Sequence, residues 1–481
     1  MKHKFLFFLA FAAIFLASCK KDLGNYSYSP PSEPVIKGIE GANFSALIGD
    51  SLIIKPEVSL AGADPLKDLN FEWRIFILED LKEITYTGYP FKTLFNLGTG
   101  ARASTLIVTD KRNGLIYKYK FTITGTTQFS AGTVILSDDA GTAKLSFLKP
   151  DNTLFPNIYE SLQSRTLPKN PVQLYYSKPL PYQLVSKEEY WVLCNDPALG
   201  SVIVNPSTFL YKDNFKSQFF LPPTTIVPGK IETVMGTLSR GVINGRFYIG
   251  VQSTAPFAPD YGKFSTDQSG DYLLSPYLSY AGAFYLGYDI KSKAFVTFDG
   301  GGNYSGSTYA TGSTGTAPFD PKNTGFTNLI YMKASSSGAT YAFFRESDGV
   351  TYELKFDNQL TATTKALIPQ QKRVFVKSSI VTSDSKWTSN SINIFYFSSN
   401  DKVYRYNPLT VPIEQAAEEQ VANFGGKKVT MLKISDNGER LYVGVEGALH
   451  TLDISGDKKG NILSTINGIP GAPVDFLTRA N

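Results

Sequence analysis

Apolar positions along this chain recur mostly with a period of two. At 70–76 (NFEWRIF), Phe71, Trp73 and Ile75 fall on one face, and 115–124 (LIYKYKFTIT) alternates in the same way, as half-buried strands do. Short apolar runs broken by turn residues predict further strands at 51–56, after Gly49-Asp50, and at 104–110, before Asn113-Gly114. Strand runs and turns over residues 35–124 suit a small immunoglobulin-like sandwich, with Trp73 in its core.

Beyond a short polar hinge at 125–130, the pattern changes from isolated strands to recurring pairs. Residues 133–138 turn at Gly141 into 143–147, 190–195 turn at Gly200 into 201–205, and 283–289 pair with 294–298. The same arrangement returns at 340–345 with 351–356, at 393–397 with 402–406, and at 440–445 with 448–454. Residues 245–251 form a further strand, followed by an insertion. The pairs read as the two inner strands of propeller blades, and their spacing of about 40 to 60 residues belongs to propellers or arrays. The region 131–481 therefore predicts a β-propeller of about seven blades, with six or eight also open, at about 50 residues per blade. Ser435-Asp436-Asn437-Gly438 makes the turn of the segment most like a standard blade. Two stacked sandwiches are the rival architecture, which the long polar insertions at 151–187, 254–280 and 300–325 fit less well. The best helical stretch, 413–424, is short. The fold class is all-β.

The N-terminus has a different character. Lys2 and Lys4 precede an unbroken apolar run from Phe5 to Leu16. Its twelve residues are too few for the roughly 20 that span a bilayer, and the layout is that of a secretory signal. The order Leu16-Ala17-Ser18-Cys19 resembles the bacterial lipobox. That resemblance implies cleavage after residue 18 and acylation of Cys19, and two or more acyl chains anchor firmly where one does not. Residues 19–34, polar and Pro-containing, then read as a lipidated cysteine and flexible tether.

A second resemblance lies in the first predicted domain. Phe71-Glu72-Trp73, Leu106-Ile107-Val108-Thr109-Asp110 and Tyr119-Lys120-Phe121-Thr122-Ile123 look like the central Trp strand and closing hairpin of a PKD domain. Ile75-Phe76-Ile77 stands where that family carries an acidic Gly-Asp-Gly turn. With the lipobox and the early Gly24-Asn25-Tyr26-Ser27-Tyr28, the set resembles the PKD-like lipoproteins of Bacteroidetes outer membranes. The resemblance implies a lipid-anchored outer-membrane protein beside a nutrient-uptake transporter complex, at the cell surface rather than the periplasmic face. Lys20-Lys21-Asp22 lacks the acidic cluster common after the cysteine of surface-exported members.

Composition narrows the chemistry. The 28 Tyr, 34 Phe, 40 Gly and 27 Pro fit strands and turns. Removing Lys2 and Lys4 with the signal leaves 45 basic against 42 acidic residues, a formal +3. The basic residues form no cluster longer than a pair, so no nucleic-acid footprint is visible. Of two Cys, Cys19 is taken by lipid, and Cys194 between Leu193 and Asn195 reads as a buried small hydrophobe. Of two His, His3 leaves with the signal and His450 sits in a strand pattern, which removes multi-histidine metal sites. No cofactor motif is present. The carboxylate pairs Glu79-Asp80, Asp138-Asp139, Glu188-Glu189 and Glu418-Glu419 give no sign of facing one another across a glycosidic bond, and Asp138-Asp139 reads as a hairpin turn.

Candidate ligand contacts are aromatic. Tyr272, Tyr277, Tyr280, Tyr304 and Tyr309 lie in a Gly/Ser-rich stretch, read as outside its strands, and Trp387 lies in the polar segment 384–390. Tyrosines on such loops give wide contact area at low entropic cost. The expected function is therefore a non-catalytic binding or accessory module for a glycan or a partner protein, with the sandwich as a stalk. The alternative is a polysaccharide hydrolase or lyase on a propeller scaffold.

Overall fold

The computed structural model describes residues 32–78, 81–178, 188–233, 238–251, 260, 262–312, 316–334, 338–415, 420–456, 458 and 460–479. The signal, Cys19 and most of the tether lie outside the described residues, as do Glu79-Asp80 and Glu418-Glu419. The chain forms two compact units that divide between Thr124 and Gly125, residues 97–100 apart.

The first unit is a sandwich. Its five-stranded sheet runs Asn43–Leu47, Ile116–Thr126, Gly100–Asp110, Leu69–Ile77, Lys82–Thr87, and two two-stranded sheets accompany it, Val35–Lys37 with Glu57–Ser59 and Ser51–Ile54 with Phe91–Leu94. In the strand Leu69–Ile77, Phe71, Trp73 and Ile75 are buried and Asn70 and Arg74 are exposed, as the alternation requires. Trp73 is fully buried and stays satisfied because its Nε1–H donates to the Gly88 carbonyl at 2.8 Å. Phe91 and Phe121 pack on it at 5.3 and 5.8 Å between ring centroids.

The second unit is a β-propeller. Among the described residues it holds seven antiparallel sheets, six of four strands and one of three. From inside out, the second blade is Pro171–Ser177, Glu189–Cys194, Val202–Val204 and Tyr211–Asn214. The inner strands of the third to seventh blades are Pro228–Thr233, Leu274–Ala281, Leu329–Ala334, Trp387–Ser389 and Val429–Ile434. The first blade is built from both ends of the unit: its inner strand is the last of the chain, Ala472–Arg479, followed outward by Gly132–Asp139, Thr142–Leu148 and Leu154–Phe155.

Seven apolar clusters fill the spaces between blades, one for each neighbouring pair. The last joins Met431 and Leu449 of the seventh blade to Ile135 and Phe476 of the first, so the ring is closed. Strand Glu189–Cys194 shows how the sequence achieves this. Tyr190, Val192 and Cys194 face the first blade, whereas Trp191 and Leu193 face the third. A strand packed on both faces is apolar at every position.

Three expectations need correction. The hairpins read as inner pairs are the middle pairs of their sheets. Middle strands have a strand on each edge and a blade on each face, so they carry the strongest apolar signal. The polar hinge 125–130 is anchored instead: Phe129 is buried in the first interblade cluster, and Thr127 donates to the Ser207 carbonyl at 2.6 Å. The described residues of the stretch 413–424 form a 3-10 turn, Ile413–Gln415, and a strand, Gln420–Asn423. An edge strand of the sixth blade needs those residues, and twelve positions of weak periodicity do not outweigh the ladder.

Candidate functional site

Most of the aromatics singled out in the sequence belong to the core. Trp387 begins an inner strand and is only 8% exposed, stacked between Phe343 at 4.6 Å and Phe397 at 5.0 Å. Its neighbours on the three-residue strand, Thr388 and Ser389, are polar and half-buried, which is why the segment resembled a loop. Tyr272 and Tyr309 are also buried, and the Tyr309 hydroxyl donates to the carbonyls of Phe295 and Pro321 at 2.8 and 3.0 Å. Tyr277 and Tyr280 lie within the inner strand of the fourth blade, and Tyr304 in that blade's outer strand Tyr304–Gly306, not between strands. The fold brings Tyr304 onto Tyr272, 4.7 Å between centroids, and leaves the others apart as interblade packing.

Tyr277 has a second setting. It meets Tyr331 of the fifth blade's inner strand edge-on at 5.9 Å, and the Tyr331 hydroxyl reaches Ser389 Oγ of the sixth at 3.0 Å. Burial pushes both phenols up to about 12. The inner strands carry two acids, Glu232 and Asp475. Each meets a lysine of an inner strand: Glu232 with Lys230 at 3.1 Å, Asp475 with Lys433 at 2.8 Å. Among the described residues no three His, Cys, Asp or Glu side chains gather as metal ligands do.

A concavity among the described residues lies elsewhere, between the segment 159–168 and the outer half of the second blade. It encloses about 570 Å³, within the range of small-molecule sites. Asn157, at a φ of +50° that asparagine tolerates, turns the chain from the first blade's outer strand into the helical turn Ile158–Leu162. Gln163 then clamps this turn to the second blade. Its Oε1 accepts from the Tyr211 amide at 3.0 Å and its Nε2 donates to the Phe209 carbonyl at 3.1 Å. On the far side, Asn214 Nδ2 donates to the Leu199 carbonyl at 3.1 Å, fixing that wall.

Within this frame the Arg165 guanidinium lies over the Tyr211 ring, 3.7 Å from its centroid. Burial pushes the Tyr159 phenol up, and the nearby Arg165 charge opposes the shift. Glu160 lines the same space. Its Oε1 accepts from Lys144 Nζ at 3.1 Å, while its Oε2 is buried without a partner. None of Tyr159, Arg165 and Tyr211 stood out in the sequence. The one signal was the long polar insertion itself.

The two residues left by elimination are structural. Cys194 is buried and burial pushes its thiol up, away from nucleophilic use. His450 Nδ1 pairs with Thr465 Oγ1 at 2.9 Å, and its ring packs on Phe424.

No curated protein matches the sequence. Among solved structures, the chain is similar to a quinonprotein alcohol dehydrogenase-like protein from Bacteroides thetaiotaomicron VPI-5482, with 14% identity and a TM-score of 0.41 over 93% of this chain and 99% of that one. It is similar also to a functionally unknown protein from Desulfotomaculum acetoxidans DSM 771, with 11% identity and a TM-score of 0.39 over 73% of this chain and 99% of that one. The sequence profile of the PKD-like family matches residues 19–171, a stretch that takes in the sandwich and the first blade's three consecutive strands and ends where the second blade begins.

Proposed function

We propose that this chain is a lipid-anchored, non-catalytic binding module that offers the pocket of its first two blades to a glycan, beside an outer-membrane nutrient-uptake system and at the cell surface. The observation that carries the reading is the pocket: about 570 Å³, lined by hydroxyl, amide and guanidinium groups on a clamped frame. Such a lining suits a polyhydroxylated ligand, because each sugar hydroxyl both donates and accepts. The anchor rests on the order Leu16-Ala17-Ser18-Cys19, and the PKD-like match over 19–171 accords with the family resemblance. A hydrolase or lyase has less support, since Glu232 and Asp475 are each held by a lysine.

Two measurements test this. On a glycan array, the soluble form from Asp22 onward should be retained by at least one glycan, and retention by none removes the glycan ligand. Cys19→Ala should move the protein out of the membrane fraction, and a variant that stays there removes the lipid anchor.

A further inference from the structure

We infer that the pocket between the first two blades takes a carboxylated sugar, a uronate unit of an acidic polysaccharide, with Arg165 as the ligand to its carboxylate. The inference rests on the glycan reading above and specifies its substrate class.

The arginine is the distinguishing feature. Arg74, Arg112, Arg246, Arg373, Arg440 and Arg479 each meet a carboxylate of this chain within 3.0 Å. Arg165 meets the Tyr211 ring instead, as Arg240 meets that of Tyr285 at 5.0 Å, and of these two Arg165 lines the pocket, with no carboxylate paired to it among the described residues. A guanidinium stacked on an aromatic face keeps its N–H groups in the plane, directed outward as a preformed fork. That fork matches a planar carboxylate in bidentate fashion. Stacking also removes most of the rotamer freedom that a flexible cation would lose on binding.

The charges around it agree. The acid of the lining, Glu160, is already bonded to Lys144, so that pair is neutral together and Arg165 leaves the pocket net positive. Glu160 Oε2 is buried and lacks a donor. Tyr159, Ser164 and Thr166 offer further hydroxyls along the same wall. The pocket thus pairs one anion-binding fork with several groups suited to hydroxyls.

The test is titration calorimetry of the detergent-solubilised full chain with three uronate oligosaccharides (galacturonate, glucuronate and mannuronate series), their carboxyl-reduced neutral counterparts, and sulfated oligosaccharides without carboxylates. At least one uronate series should bind, at least tenfold more tightly than its reduced counterpart. Arg165→Ala should weaken it at least tenfold while melting at the wild-type temperature, and Arg165→Lys should recover only part. Equal binding of a reduced counterpart, preference for the sulfated series, or an Arg165→Ala variant with unchanged affinity overturns the uronate assignment and leaves the glycan reading standing. Absence of binding by every acidic and neutral saccharide overturns both.

Discussion

Arg479 Nη2 and Glu188 Oε2 meet at 2.7 Å, although 291 residues separate them in sequence. Arg479 ends the strand that completes the first blade, and Glu188 precedes the second blade's strand Glu189–Cys194. The same guanidinium donates to the Pro206 carbonyl at 3.1 Å. Ring closure is therefore fastened to the next blade as well as to its own sheet. Arg479→Ala should lower unfolding free energy by about 1–3 kcal/mol, the usual range for hydrogen bonds to charged groups. Urea unfolding monitored by intrinsic fluorescence measures it.

Glu353 and Arg373 form an enclosed ion pair at 2.8 Å, with the Glu353 side chain fully buried. The Tyr406 hydroxyl of the sixth blade donates to Glu353 as well. Removing one partner strands the other in a low-dielectric interior. Arg373→Met should cost about 3–5 kcal/mol, whereas the double change Glu353→Leu with Arg373→Met should recover much of it. Thermal unfolding of the three variants distinguishes the cases.

His450 gives the propeller an acid-sensitive position. Burial first, and the Lys427 charge second, hold its imidazole below the ordinary 6.5. The folded state thus binds this proton less readily than the unfolded chain. Its contribution is present above pH 6.5 or so and is lost as pH falls through the lowered folded value. The melting temperature should drop between pH 7.5 and pH 5, and His450→Gln should show a smaller drop by scanning calorimetry.

Trp387→Ala should act on stability. The ring fills the space between the fifth and sixth blades with Phe343, Phe375 and Phe397. Removal of such a side chain costs about 3–5 kcal/mol, so melting should fall by several degrees.

Trp387 also shows what local pattern can and cannot convey. Asp384 and Lys386 before it are exposed, and Thr388-Ser389-Asn390 after it are polar and half-buried. Nothing in that spacing reveals that the one large ring turns inward. The all-β class, the sandwich around Trp73 and the count of about seven blades were legible, because long middle strands buried on both faces write continuous apolar runs. Inner strands such as Pro228–Thr233, with Lys230 and Glu232, gave a weaker signal, since one edge borders the channel and polar residues are tolerated there. The pocket was invisible for another reason. Arg165 and Tyr211 are 46 residues apart and meet only because Gln163 clamps the insertion to the second blade.

The join between Gly132–Asp139 and Ala472–Arg479 has a consequence for how the molecule is made. Closing a loop of nearly 350 residues costs only roughly 2 kcal/mol more than closing one of about 50, so the topology is thermodynamically mild. The difficulty is one of timing. Until the strand Ala472–Arg479 joins, the strand bearing Val134, Ile135 and Leu136 has a bare edge and half its packing. Unpaired apolar edges are templates for aggregation. Every folding intermediate in which that closing strand is still free carries the hazard, and its docking ends it in a single step.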